Sequence, residues 1–230
     1  NSNIDIIKGL SALLVLIYHL DLTIFGYEII PNGYLGVDIF FTISGFLITD
    51  LIIKYNFKKN FRFKDFYLSR IKKLFPTALL VFFFISIAGW YFNLPYDYKY
   101  NAESIISFFK GDFNNFVSSI AYGGTAVLLK PTLHFWSLST EIYFYIFFSI
   151  IFYFCLKFLK KKKSIIFLFF IFILNIILIY NFEFNFRENT DTYYFSFFRI
   201  YEFLVGSLFC LIFYRNNKKI NSFYFDFLLI

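Results

Sequence analysis

Long apolar runs, broken by short polar stretches, organise this chain. The runs 4–24, 34–53, 76–92, 135–156, 164–180 and 195–214 each approach the roughly 20 residues an α-helix needs to cross a bilayer. A seventh run opens at Phe223 and stops at Ile230. Between Arg62 and Leu74, the apolar positions Phe63, Phe66, Tyr67, Ile71 and Leu74 are interleaved with charges. That pattern predicts an amphipathic helix lying on the membrane surface. Residues 102–133 are apolar only in patches and carry Glu103, Lys110, Asp112, Asn114 and Asn115, which predicts an interfacial or re-entrant segment. The expected fold class is all-α, a polytopic helical membrane bundle of about six complete spans plus that segment, forming one transmembrane domain over 1–230.

Composition narrows the class. The chain is 59% hydrophobic, 27% aromatic and 16% charged, against roughly 45–50% apolar and about 25% charged for a soluble domain. A water-soluble globule and a solvated coil are both excluded. The net charge of +7 is not spread over one face: of 22 Lys and Arg, eight lie in 54–73, five in 157–163 and three in 215–219. Basic clusters at the ends of apolar spans mark the cytoplasmic side, so nucleic acid is not the expected partner and membrane lipid is. This bias puts the N-terminus and the clusters 54–73 and 157–163 in the cytoplasm and the loop around Lys99 outside. Residues 102–133 then cross the membrane twice or not at all. The first run lacks a small-x-small cleavage site and reads as an uncleaved helix. Cys155 and Cys210 lie inside apolar runs without metal-ligand spacing, as small buried hydrophobes do. No Met occurs, even at position 1, so the expected chain is a processed product or a piece.

Against this apolar background, ionisable residues inside spans are the candidates for function, because burying charge in lipid is costly. Lys8 and His19 are 11 residues apart on the first run, close to three helical turns, so they share a face about 16 Å apart. Asp5 precedes Lys8 by one turn and is placed to pair with it; the alternative is that both snorkel at the inner surface. Asp38, Glu141, Arg199 and Glu202 all belong, with His19, to the outer half of the bilayer by this topology. One cavity there would hold them, either as helix-stapling ion pairs or in support of catalysis. Histidine beside carboxylates has the chemistry of a general base. Arg70, Lys72 and Lys73 precede Pro76 on the inner side, where they suit lipid headgroups or the phosphates of a cytoplasmic cofactor. His134, next to Phe135 and Trp136, reads as an interfacial aromatic-belt neighbour. Ser44 lacks the leading glycine of a nucleophile elbow and reads as a packing or turn residue. A transporter, with Lys8, His19, Asp38 and Glu141 as a proton or solute path, is the alternative; the inverted repeats or paired broken helices that would favour it are not evident.

Five stretches in order resemble the membrane-bound acyltransferase family 3, the O-acyltransferases that decorate bacterial surface polysaccharides. They are Lys8-Gly9-Leu10-Ser11-Ala12 running to Tyr18-His19, Gly36-Val37-Asp38 running to Ser44-Gly45-Phe46-Leu47-Ile48, Arg70-Ile71-Lys72-Lys73-Leu74-Phe75-Pro76, His134-Phe135-Trp136-Ser137-Leu138-Ser139-Thr140-Glu141 with Phe144-Tyr145, and Arg199-Ile200-Tyr201-Glu202-Phe203-Leu204-Val205-Gly206. Lys8 stands where Arg is commoner, Lys73 replaces a second Arg, and Ile142-Tyr143 stands for Glu-Gln. The resemblance implies an integral protein of the bacterial inner or plasma membrane, here without the last third of the family's helices. It implies acyl-CoA, ordinarily acetyl-CoA, as donor from the cytoplasm, with phosphates near Arg70 and Lys73, and no metal. Lys8 would attract the donor or position its acyl chain. His19, oriented by Asp38 or Glu141, would deprotonate a hydroxyl of a glycan or lipid-linked sugar outside, with Arg199 and Glu202 supporting the substrate site; a covalent acyl-histidine is the variant.

Overall fold

The computed structural model describes residues 2–20, 22–57, 62–121, 130–159, 161–186 and 194–213. Among them the chain runs through α1 (Ser2–His19), a hairpin of β1 (Thr23–Ile24) and β2 (Tyr27–Glu28), α2 (Leu35–Phe57), α3 (Phe63–Phe92), α4 (Pro95–Lys110) and α5 (Phe113–Ala121). It continues through α6 (Phe135–Phe158), α7 (Lys161–Phe186), a 3-10 turn (Ser196–Arg199) and α8 (Ile200–Phe213). Five segments are long and apolar enough to cross a membrane: Leu35–Lys54, Phe63–Phe92, Phe135–Phe158, Lys162–Phe182 and Ser196–Phe213. The helical membrane bundle expected from the apolar runs is the observed architecture. The run opening at Phe223 and the basic cluster 215–219 lie outside the described residues.

Two expectations change, for the first run and for 62–74, while that for 102–133 does not. The first run is helical only to His19, and this 18-residue helix, which contains Asp5 and Lys8, is not among the five. The stretch 62–74 is not a separate surface helix. It is the opening of the 30-residue α3, which continues through Pro76 although proline removes one donor and crowds the carbonyl four residues back. At 1.5 Å per residue α3 is about 45 Å long, longer than the hydrocarbon layer, so charge along it changes while the helix does not. Residues 102–133 hold the end of α4 and all of α5, neither of which is among the five. Pro95 at the first turn starts α4, where a missing N–H costs nothing. Gly111 at φ 73° ends it, with the Gly111 and Asp112 N–H groups donating to the Phe108 and Ser107 carbonyls at 3.1 and 2.9 Å, a left-handed C-cap.

The chain divides into two compact units. The first comprises Asn1–Lys54, Phe152–Ile173 and Tyr201–Ile230, around the fully buried Phe41, Ile48, Ile52, Phe152, Leu168, Phe203, Leu204 and Leu211. Here α2 and α8 cross with their backbones in contact. A Cβ on Gly45 would strike the Phe203 backbone, and one on Gly206 would strike the Thr42 carbonyl. Ser207 Oγ donates to the Gly45 and Phe203 carbonyls at 3.3 and 2.8 Å, and Phe41 stacks on Phe203 at 4.6 Å between centroids. Small residues that admit close backbone approach are what drives helix association where lipid is as apolar as the side chains. The end of α1 meets the start of α2 in the same way, Gly33 against Leu14 and Tyr18, and Gly36 against Ser11 and Val15. The hairpin between them turns on Phe25 (φ 52°) and Gly26 (φ 81°), a two-residue turn of the type I′ class that prefers Asn-Gly. Phenylalanine in the left-handed region costs roughly 1–2 kcal/mol.

The second unit comprises Tyr55–Ile151 and Leu174–Ile200, and rings and hydroxyls hold it. Along the antiparallel α3 and α6, the Tyr67 hydroxyl meets Ser149 Oγ at 2.9 Å and Phe82 stacks on Phe135 at 4.1 Å. Buried Asn114 of α5 donates to the Trp136 carbonyl, Thr140 Oγ1 and the Tyr194 carbonyl at 3.1, 3.0 and 2.7 Å. Asn175 of α7 donates to the Phe197 carbonyl at 3.0 Å and so fixes the 3-10 turn. Lys130 pairs with Asp97 and lies 4.9 Å over the Tyr100 ring; burial pushes the Tyr100 phenol above its ordinary pKa.

Candidate active site

In the first unit, Lys8 is the best-defined of the expected site residues. Its ammonium donates to Ser44 Oγ at 3.2 Å and lies 4.5 Å over the Phe40 ring. Ser44 is buried and stands near the middle of the span Leu35–Lys54. Lys8 is therefore half-buried and held beside the middle of that span. A hydroxyl and an aromatic face stabilise an ammonium that lipid alone would not. His19 ends α1 and is exposed, with its ring 5.3 Å from that of Tyr18. Asp38 is half-buried in the first turn of α2, where the helix dipole favours a carboxylate. Glu202 is buried, 3% exposed, in the first turn of α8. Asp5 is exposed.

The second unit brings Arg70 and Glu141 together through Tyr145. The Arg70 guanidinium lies 5.4 Å over the Tyr145 ring and 5.6 Å over that of Phe66, and the Tyr145 hydroxyl donates to Glu141 Oε1. Glu141 and Tyr145 are one helical turn apart on α6 and both are buried. Tyr145 stands near the midpoint of α6, so the Arg70 guanidinium, near the start of α3, reaches the middle of that neighbouring helix. Lys73 is exposed on α3, one turn further along. Arg199 is buried at the end of the 3-10 turn, 5.7 Å over the Trp136 ring. His134 is exposed immediately before α6.

Two participants, Ser44 and Tyr145, do not stand out in the sequence. Ser44 was assigned to packing, yet it is the oxygen that receives the Lys8 ammonium; the signal was a hydroxyl alone among Ile43, Gly45 and Phe46. Tyr145 had been read only as part of a motif. Asp50 is an in-span carboxylate paired with Lys54 at the far end of α2, and no described contact joins it to Lys8 or Ser44. Among the described residues, no group of three or more His, Cys, Asp or Glu is placed to hold a metal.

Comparison with known proteins decides the family. The family described as an acyltransferase domain matches residues 1–230. The chain belongs to that family. It is 29% identical over 163 residues to a Staphylococcus aureus (strain COL) protein named "Putative O-acetyltransferase SACOL0978", covering 70% of this chain and 26% of that one. It is 26% identical over 166 residues to the "Peptidoglycan O-acetyltransferase OatA" of Listeria monocytogenes, covering 71% and 26%. A Haemophilus influenzae protein without an assigned role is 32% identical over 192 residues, covering 79% and 76%. The chain thus spans about a quarter of the length of the first two relatives. No solved structure matches it. The chain therefore carries an acyltransferase-family domain whose described residues include five helices long and apolar enough to cross a membrane.

Proposed function

We propose that this domain transfers an acyl group, ordinarily acetyl, from cytoplasmic acyl-CoA to a hydroxyl of an extracytoplasmic glycan or lipid-linked sugar. The observation that carries the reading is the depth of the two cations. Lys8 lies beside the middle of the α2 span and Arg70 beside the middle of α6, each within its own unit, and each is held there by groups that tolerate a cation in a dry setting. Cations at that depth suit a donor that brings phosphate and a polarised thioester into the bundle. The carboxylate and aromatic partners of Arg70 keep its guanidinium oriented, and Lys73 adds a second positive group for the donor on α3. The relatives' names point to O-acetylation, and one names peptidoglycan as the acceptor.

In this reading the N-terminus is cytoplasmic and His19, at the far end of α1 from it, works at the outer face of the bacterial plasma membrane. His19 takes the proton of the acceptor hydroxyl as that oxygen attacks the thioester carbonyl. The carbon–sulfur bond breaks, the ester forms, and the imidazolium returns the proton to the CoA thiolate. Asp38 favours the imidazolium, Glu141 is catalytic support fixed by Tyr145, and Arg199 and Glu202 shape the acceptor side. The test is His19→Ala in the full-length protein, following label from acetyl-CoA into envelope glycan. Loss of transfer with intact folding is expected. Transfer at the wild-type rate removes His19 from the reaction, and label-free glycan with the wild-type protein removes acyl-CoA as the donor.

A further inference from the structure

We propose that the hairpin joining α1 to α2 is a membrane-interface anchor, whose apolar side chains enter the headgroup–acyl boundary of the leaflet at the N-terminal end of the α2 span. Its position is the first ground. Gly33 and Gly36 pack on the last turns of α1, so the hairpin emerges beside Leu35, where the α2 span begins. Its surface is the second. Leu22, Ile24, Phe25, Tyr27 and Ile29 are all exposed, Phe25 at 98% and Tyr27 at 80%, and Glu28 is the single charged residue among positions 22–30. Aliphatic side chains beside aromatic ones fit lipid better than a sugar, whose hydroxyl-bearing edges call for polar neighbours.

The third ground is strain. Phe25 sits at φ 52° in a turn that Asn would fill more easily, and its fully exposed side chain finds nothing among the described residues to offset that cost. Burial of a phenyl ring in an apolar medium outweighs the left-handed penalty, so the sequence makes sense when lipid is the ring's partner. A second consequence rests on the proposed reaction: His19 precedes the hairpin by three residues, so anchoring it fixes the depth of the base.

The experiment uses Phe25→Cys in the full-length protein, spin-labelled and reconstituted in phosphatidylglycerol–phosphatidylethanolamine vesicles; native Cys155 and Cys210 are buried. Collision with oxygen and with a water-soluble nickel chelate reports depth without reference to activity. The expected result is an oxygen-to-chelate ratio raised severalfold over free label in the same buffer, equivalent to a depth of about 5–10 Å. Tyr27→Cys, at an unstrained position, gives the same readout if the turn variant fails to fold. A ratio equal to that of free label overturns the anchor in favour of a solvated loop. Shielding from both reagents overturns it in favour of a covering polypeptide, and chelate access lost only on adding soluble peptidoglycan fragments overturns it in favour of a glycan platform. In a Phe25→Asn background, label at His19→Cys should shift towards chelate access; an unmoved His19 label with a lipid-embedded Phe25 label would leave the anchor standing and remove its link to the base.

Discussion

The two units solve the same problem, helix association in lipid, with opposite materials. In the first, Gly45 and Gly206 let α2 and α8 touch backbone to backbone, and the cation Lys8 is held by a hydroxyl and a ring. In the second, Phe82 on Phe135 and Tyr67 on Ser149 keep α3 and α6 a side chain apart, and the cation Arg70 lies on rings backed by Glu141. Backbone contact leaves no slack, because a carbonyl cannot rotate away from an added methyl. Ring contact leaves some, because a phenyl group tilts. The first unit should therefore fail abruptly under small additions and the second weaken gradually under deletions.

The largest expected effect tests the abrupt case. Gly206→Ala puts a methyl into the Thr42 carbonyl and the Phe46 amide, and Gly45→Ala puts one into the Phe203 backbone. Overpacking of this kind costs about 1–3 kcal/mol where neighbours relax, and here they are backbone. Loss of monodisperse protein after detergent extraction is expected for both. Gly9 has open space around its Cβ position, so Gly9→Ala should raise helix stability by about 0.8–1 kcal/mol. Normal yield from Gly206→Ala would show that α2 and α8 are not packed this closely.

Next comes the graded case. Asn114→Leu removes three hydrogen bonds and leaves the Trp136 and Tyr194 carbonyls to find other donors. At roughly 0.6–1 kcal/mol per bond in a membrane protein, the loss is about 2–3 kcal/mol, read as a lower thermal midpoint with the fold retained. If Asn114→Leu prevents folding outright, the second unit is as brittle as the first and the contrast fails.

What the sequence disclosed follows the same division between local and long-range information. Apolar runs placed α2, α6 and α7 to within a few residues at most ends, because hydropathy and helix length are properties of a continuous segment. They misplaced α3, since Lys72, Lys73 and Pro76 looked like a boundary where the helix in fact continues. The in-span polar residues named Lys8, Asp38, Glu141, Arg199 and Glu202 as unusual, but their depth was not legible. Depth depends on the register of α1 on α2, set by Gly33 and Gly36, and of α3 on α6, set by Tyr67 and Phe82. Those registers join residues far apart in the chain, which no periodicity within one helix encodes. Ser44 and Tyr145 were overlooked for the same reason.

A smaller effect separates holding a helix from holding a site. Tyr145→Phe keeps the ring under Arg70 and removes the hydroxyl that bonds to Glu141 and also reaches Arg70, costing about 0.6–1.5 kcal/mol of stability. Tyr67→Phe removes a comparable hydroxyl from the α3–α6 contact and is the matched control. If Tyr145 positions Glu141 for acyl transfer, turnover falls in Tyr145→Phe and stays near wild type in Tyr67→Phe. Equal turnover in the two variants at equal stability reduces Tyr145 to a staple.

Ser44→Ala gives the smallest expected change in stability and isolates the first unit's cation. It deletes one hydroxyl, about 0.6 kcal/mol for a typical hydrogen bond in a membrane protein, and the Phe40 ring remains beneath the ammonium. Ser11→Ala is the control, since Ser11 Oγ donates to the Ile7 carbonyl of its own helix at 2.8 Å and does not reach Lys8 in any described bond. Losing the Ser44 oxygen removes one of the groups that orient the Lys8 ammonium, so donor affinity should weaken while the acceptor's KM stays fixed. The same weakening in Ser11→Ala would trace the effect to α1–α2 packing. A donor KM unchanged in both variants would mean that Lys8, although held beside the middle of the α2 span by Ser44, takes no part in binding the donor.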